Sequence, residues 1–264
     1  MSKILVFYRS CDVSANGKVR PNWFSKEGCF QTLMDTKDDQ CEIHVLFDET
    51  NTTKTMQDLE VQFPGADSIT LITGGSDGKS LEASIKHILA KHERNEIHDN
   101  DIVYLLEDDY MHKEGWPSII REGCNVAGAS FITLYDHSDK YDVRMYPNLE
   151  SKIFVTKSCH WRTTPSTTNT YALRFKVFKA TLEEHKEFVK NRTGSQLDHE
   201  KFLYLASKGY NVISSIPGYS THCELQFLSP LWRNTSVQPL QKQDSGVQFK
   251  QIQKTKDKRD ERFL

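Results

Sequence analysis

Asp101-Ile-Val-Tyr-Leu-Leu-Glu107-Asp108-Asp109 is an apolar run of strand length that ends in three consecutive carboxylates. Apolar side chains on both faces of such a run predict a strand covered on both sides, as in a parallel sheet between helices. If strand geometry persists, Glu107 and Asp109 face one way and Asp108 the other. Three carboxylates this close repel one another, so the triplet calls for a compensating cation or full solvation. A divalent cation with oxygen ligands, Mg²⁺ or Mn²⁺, fits that geometry and would bridge to substrate phosphate oxygens. An exposed acidic turn after a strand is the plain alternative.

Outward from this segment, similar apolar runs recur at Lys3 to Tyr8, Glu42 to Phe47 and Ser68 to Ile72. Between the last of these and the triplet, Leu81, Ile85, Ile88 and Leu89 recur at helical spacing and predict a helix over Ser80 to His92. Alternating strands and helices predict an α/β fold with a mostly parallel central sheet flanked by helices. Ligands of such sheets sit beyond the carboxyl ends of the strands. The residues there are Tyr8 and Arg9, Asp48 and Glu49, Gly74 and Gly75, and the triplet itself, a polar and glycine-rich rim suited to a nucleotide. Gly74-Gly75-Ser76 allows close backbone approach, and Ser76 or Ser80 could cap the following helix where its N-terminus faces phosphate.

After the triplet the chain turns aromatic and Thr-rich, with strands expected at Phe131 to Tyr135, Lys152 to Thr156 and Thr168 to Arg174. Helices are expected at Thr181 to Lys190 and Asp198 to Lys208. The stretch Ser158-Cys-His-Trp-Arg-Thr-Thr-Pro-Ser-Thr-Thr-Asn169 combines an indole with many hydrogen-bonding groups, and His160, Trp161 and Arg162 could line a sugar or acceptor surface. A Thr-rich edge strand and turn would read the same way. In Arg20-Pro-Asn-Trp-Phe-Ser-Lys26, Arg20 or Lys26 could meet phosphate charge, with surface solvation as the simpler role.

The 264 residues carry 27% charged and 37% hydrophobic side chains and a net charge of −2. That composition is globular and makes no call for nucleic acid or an anionic membrane as partner. The first apolar run is too short for a signal-peptide core or a membrane span, which places the chain in the cytoplasm. Six cysteines occur without a C-x-x-C pair, so free thiols are expected, and the sequons at Asn51, Asn191 and Asn234 have no meaning in that compartment. One catalytic domain is expected over residues 1–235, with a donor-binding half (1–110) and an acceptor-binding half (111–235), followed by a polar tail over 236–264.

The segment from Val103 to Trp116, with Glu107-Asp108-Asp109 at its centre, resembles the D-x-D acid motif of nucleotide-sugar glycosyltransferases of the GT-A fold, in the Glu-Asp-Asp form of inverting enzymes. His160-Trp-Arg-Thr-Thr-Pro-Ser-Thr-Thr168 is similar to a stretch in bacterial and viral glycosyltransferases. The resemblance implies a GT-A-like single domain. Asp109 would be the principal metal ligand, Glu107 the supporting one, and His222, in Pro217-Gly-Tyr-Ser-Thr-His-Cys-Glu224, would complete the shell and favour Mn²⁺. Gly74-Gly75-Ser76 resembles the glycine loop that approaches the sugar nucleotide; the strand-end residues Tyr8, Arg9 and Asp48 are expected to contact the same donor, and Asp108 is left free to serve the donor sugar or the surrounding fold. Asp198 would be the base for an acceptor hydroxyl, with Glu200 as alternate, because His199 separates two acids that the family pattern usually groups. Asp198 could equally cap its helix, and a lone His222 could simply be packed. The implied reaction moves a sugar from a nucleotide-diphosphate sugar to a glycan or other hydroxyl-bearing acceptor. A nucleotidyltransferase and a non-catalytic nucleotide-sugar or glycan-binding module are the other readings.

Overall fold

The computed structural model describes residues 2–13, 17–190 and 197–232; Asn191, Asn234 and the tail over 236–264 lie outside them. The order is β1 (Ile4–Cys11), α1 (Lys26–Thr36), β2 (Cys41–Asp48), α2 (Met56–Gln62), β3 (Ser68–Ile72), α3 (Asp77–Glu93), β4 (Ile102–Glu107) and β5 (Tyr110–His112). It continues α4 (Trp116–Gly123), β6 (Ala129–Thr133), β7 (Ile153–Val155), β8 (His160–Thr164), β9 (Tyr171–Arg174), α5 (Phe175–Ala180), α6 (Leu182–Lys190), α7 (Leu197–Ser207), β10 (Asn211–Ile216) and β11 (Ser220–His222).

One nine-stranded sheet runs β3-β2-β1-β4-β9-β6-β10-β8-β7, and β11 pairs β5 in a small second sheet. Within the large sheet only β9 and β8 run against the other strands, so the sheet is mostly parallel, as expected. It draws strands from both the 1–110 and the 111–235 segments, joined where β4 meets β9.

The apolar strands are two-faced because helices cover both sides. From β1 and β4, Ile4, Val6, Tyr8, Ile102, Tyr104 and Leu106 pack with Phe30 and Leu33 of α1 and Trp116 and Ile120 of α4. Leu5, Phe7, Val103 and Leu105 point the other way, onto Leu81, Ile85 and Ile88 of α3, Phe178 of α5 and Phe202 of α7. The helical period that predicted α3 thus places its stripe on the second face, and Ser76 rather than Ser80 caps it. The thiols are free, and no helix among the described residues is long and apolar enough to cross a membrane.

Departures concentrate in the second half. The stretch over 158–169 contains a strand, β8, as the plainer alternative expects, but it is held between β10 and β7 rather than at the sheet edge. Trp161 is completely buried, with Gly123 of α4 so close that an added Cβ would lie 2.7 Å from the indole. The strand expected from Thr168 begins only at Tyr171. The residues before it spend their side chains on cross-links instead, Thr167 to Thr133 at 3.2 Å, Thr168 to Tyr110 at 2.6 Å and Thr170 to the Glu107 amide at 3.3 Å. The segment Ser220–His222, for which no strand is expected, is β11.

His185 sits in the second core face, its ring stacked on Tyr171 and Phe178. Burial, with the Lys201 cation adding to it, lowers its pKa from 6.5 to about 3. The unfolded chain therefore binds a proton between those limits that the folded chain refuses, and stability falls with pH through that window. His185→Gln removes this proton. Urea unfolding should show the wild type losing stability on acidification from pH 6.5 to 5 faster than the variant, by a difference that approaches about 1.4 kcal/mol per pH unit toward pH 5. Parallel pH dependences would contradict a neutral buried imidazole.

Candidate active site

β1 and β4 are parallel neighbours in a register that sets Arg9 beside Glu107. The strand ends there, and Asp108 and Asp109 lie in the turn before β5, so the expected strand-like alternation of the triplet does not hold. Each acid goes its own way to a cation of the chain. Glu107 accepts from Arg9 Nη2 at 2.7 Å, while Arg9 Nη1 donates to Asp77 at 2.7 Å. Asp108 accepts from Ser10 Oγ at 2.8 Å and meets Lys26 Nζ at 2.8 Å. Asp109 Oδ2 gathers Lys18 Nζ at 2.8 Å, Arg20 Nη2 at 2.9 Å and His222 Nε2 at 3.0 Å. The repulsion within the triplet is thus met by basic side chains from β1 itself, from the residues after it and from the start of α1, as well as by His222.

These environments divide the acids electrically. Burial pushes Glu107 and Asp108 above the ordinary carboxylate range, with Arg9 and Lys26 pulling back. Burial acts on Asp109 in the same sense, but His222 and Lys18 outweigh it and hold Asp109 well below that range. Asp109 is the committed anion of the three.

His222 reaches Asp109 across 113 positions of sequence because β11 pairs β5 with His222 opposite Tyr110. The Cys223 amide donates to the Asp109 carbonyl at 2.8 Å, and the Tyr110 ring stacks on the imidazole at 5.2 Å. Asp109 Oδ1 is buried without a hydrogen-bond partner. A carboxylate oxygen left bare beside an imidazole, both under a basic loop, suits a divalent cation completed by phosphate oxygens. Glu107 does not share that fit while Arg9 holds it. No group of three or more His, Cys, Asp or Glu side chains placed to hold a metal occurs among the described residues.

The glycine loop is drawn to the same rim by Asp48, whose carboxylate accepts from the Gly74 amide at 3.1 Å and the Gly75 amide at 2.7 Å. Gly75 has φ +70°, and Asp77, the first residue of α3, is the partner of Arg9. Arg9, Asp48, Gly74, Gly75, Ser76 and Asp108 therefore do converge. Tyr8 does not open onto the rim: it is completely buried, its ring against Phe30 and Phe63, and only its hydroxyl reaches out, to the Asp108 carbonyl at 3.3 Å.

Asp198, expected as the base, lies in the first turn of α7, 4.0 Å from Lys201 Nζ, and its charge is felt at Arg9. Glu200 is exposed. His160, Trp161 and Arg162 do not form one surface: His160 is exposed, Trp161 is core, and Arg162 is buried against Asp136 at 2.7 Å with its guanidinium over Tyr141. A cluster that sequence reading passed over follows β6, in Asp136, His137 and Asp139. Its signal was present, since Asp-His-Ser-Asp stands at the carboxyl end of a predicted strand, where site residues are to be sought.

No protein-family model matches the chain, and no curated protein matches it. Among solved structures, similarity is found to S. aureus TarS 1–349, at TM-score 0.44 and 13% identity over 83% of this chain. This chain spans 59% of that one, less than two thirds of its length. A 4-diphosphocytidyl-2C-methyl-D-erythritol synthase matches at TM-score 0.41 and 10% identity, over 76% of this chain and 85% of that one. A protein described as a nucleotide-diphospho-sugar transferase, from Desulfovibrio desulfuricans, matches at TM-score 0.44 and 10% identity, over 81% and 80%. Function therefore has to be read from this chain's own side chains.

A Cβ at Gly74 would lie 2.5 Å from Asp48 Oδ2 and 3.4 Å from the Ser80 amide nitrogen. Gly74→Ala should displace the Asp48 carboxylate that holds the loop and lower stability by about 1–3 kcal/mol, measured by urea unfolding. An unchanged midpoint would mean that this tie is not part of the folded rim.

Proposed function

We propose that this chain transfers a sugar from a nucleotide-diphosphate sugar to an acceptor hydroxyl, with inversion, and that the acid rim is the donor-diphosphate site. The observation that carries this reading is Asp109: ionised, beside His222, with one buried oxygen unpartnered, under Lys18 and Arg20 at the carboxyl ends of parallel strands. A departing nucleoside diphosphate gathers negative charge, and positive groups fixed beforehand around its place lower the barrier. Lys18, Arg20 and Lys26 are such groups. Asp109 and His222 would hold Mn²⁺ or Mg²⁺, which when bound supplies further charge stabilisation to the leaving group, and the imidazole favours Mn²⁺.

Glu107, expected to support the metal, takes a different part: it anchors Arg9, which ties β1, β4 and the start of α3 together at the floor of the site. Asp48, Gly74, Gly75 and Ser76 shape the rim beside it, where backbone can approach the donor. The acceptor, a glycan or another hydroxyl-bearing molecule, would enter from the side of Asp198 and the turn after β6. The cytoplasm is the proposed compartment, since nucleotide sugars and reduced thiols belong together there.

Nucleotidyl transfer is the second reading, favoured by the cations that the residues after β1 bring to the acids, as a triphosphate would also require. Products separate the two. Incubation with a panel of nucleotide sugars and Mn²⁺ should release nucleoside diphosphate; pyrophosphate formed from a nucleoside triphosphate would move the assignment to nucleotidyl transfer. Asp109→Asn should lower nucleoside diphosphate release by ~10²–10³-fold, the scale for losing a preorganised charge at the reacting centre, with the melting transition retained. Turnover that survives EDTA would sink the metal assignment.

A further inference from the structure

The large sheet ends on two edge strands, β3 and β7. In β3 only Leu71 is exposed, whereas Ile153 and Val155 of β7 are exposed at 56% and 71%, side by side on one face of the strand. Phe154 turns the other way and packs on the core face shared with α4. The ladder to β8 fixes which backbone groups of β7 remain open. The Thr163 amide donates to the Lys152 carbonyl at 2.9 Å, and the Thr156 amide to the Cys159 carbonyl at 3.0 Å. Hydrogen-bonded pairs of an antiparallel ladder recur at every second residue, so Lys152, Phe154 and Thr156 turn their backbone toward β8. Ile153 and Val155 turn theirs to the free side. An open edge that also carries two apolar side chains is a template for another strand.

The open groups complement themselves. Two copies of β7 set antiparallel about a two-fold axis at Phe154 place Ile153 opposite Val155 of the second copy, and Val155 opposite its Ile153. Both become hydrogen-bonded pairs, which exchange N–H and C=O in both directions, so every open amide and carbonyl of Ile153 and Val155 is used. A slip of two residues would oppose Ile153 to Ile153, or Val155 to Val155, and forfeit one of the two pairs. In the full register the exposed Ile and Val side chains meet as β-branched cross-strand pairs on one face. On the other face the two Phe154 side chains stand opposite each other at the axis, beside a cavity of about 470 Å³ lined by Glu122, Val126, Ala127 and Phe154. Beyond the strand ends the same register carries exposed Glu150 alongside exposed Lys157 in the turn of the second copy.

We propose that β7 is the contact of a symmetric homodimer, in which the nine-stranded sheets of two copies join edge to edge across a two-fold axis at Phe154. A second copy is the occupant because open backbone groups, apolar side chains and opposite charges are all matched by β7 itself at a single register. An unrelated strand gives no reason for the three to coincide. The paired strands are short, three residues each, so association is weaker than in an obligate dimer and depends on concentration. In the sheet order β9, β6, β10 and β8 stand between β4, whose end carries the acids, and β7. The contact therefore leaves the acid rim uncovered and is independent of the donor-site reading.

Sedimentation equilibrium of the full chain, from micromolar to millimolar concentration, should show a shift from the mass of one chain to that of two. Val155→Pro removes an open amide from each strand and leaves the ladder to β8 intact, since an edge strand tolerates proline where its N–H faces outward. This variant should sediment as a monomer with its melting transition retained. Lys157→Glu should weaken the dimer by ~2–30-fold, the scale of two exposed ion pairs, and Glu150→Lys added to it should restore the affinity. A readout that needs no variant is amide hydrogen exchange by NMR, which should slow at Ile153 and Val155 as the wild-type concentration rises. A wild-type chain that stays monomeric throughout would overturn the proposal and leave this edge to a strand of another protein. A dimer that persists in Val155→Pro, exchange at Ile153 and Val155 that does not change with concentration, or a Lys157→Glu defect that Glu150→Lys deepens would each overturn it as well.

Discussion

Three adjacent carboxylates at the end of a buried strand cannot be tolerated without cations, and the way this chain supplies them organises everything around the rim. Arg9 answers Glu107 from the neighbouring strand and reaches on to Asp77 at the start of α3. Lys26 answers Asp108 from the first turn of α1. Lys18, Arg20 and His222 converge on Asp109. Each contact ties a different element to the carboxyl end of β4, so the electrostatic demand of one short segment fixes where α1, α3 and β11 meet the sheet.

The same contacts sort the acids into different tasks. Glu107 and Asp108 each have a basic partner close by and act as anchors of structure. Asp109 keeps one oxygen unmatched in a buried place, where an unpaired polar atom is costly. Beyond it, the aromatic wall of Tyr135 and Phe227 separates the two histidine sites by the thickness of a ring. Lys18, Arg20 and Asp109 lie on the His222 side of the wall, and His137 with Asp139 lies on the other.

Reading the chain without its fold was most successful where the pattern was local. The runs that became β1 to β4 and α3 were recognisable because burial on both faces leaves an uninterrupted apolar signature, and the rim residues followed from the strand ends. It was least successful where a segment's role depended on what lies beside it. His160-Trp-Arg offered donors and an aromatic ring, but alternation along β8 sends the indole into the core and Arg162 to Asp136. Tyr8 was read at the rim although its ring belongs to the core formed with Phe30 and Phe63. His137 and Asp139 carry no periodicity of their own, and only their place after a predicted strand marks them.

By itself, the sequence determined the strand and helix pattern of the first half, the gathering of acids and glycines at one edge, and the need of the triplet for positive charge. These follow from burial and electrostatics acting over a few adjacent residues. Only the tertiary structure decided which cation meets which acid, that Asp109 rather than Glu107 is left with an open oxygen beside His222, and that His137 faces the same wall. Those outcomes depend on strand register, which sets Arg9 and Glu107 together across 98 positions, and on the pairing of β5 with β11, which brings His222 to Asp109 across 113, and no local pattern encodes such distances.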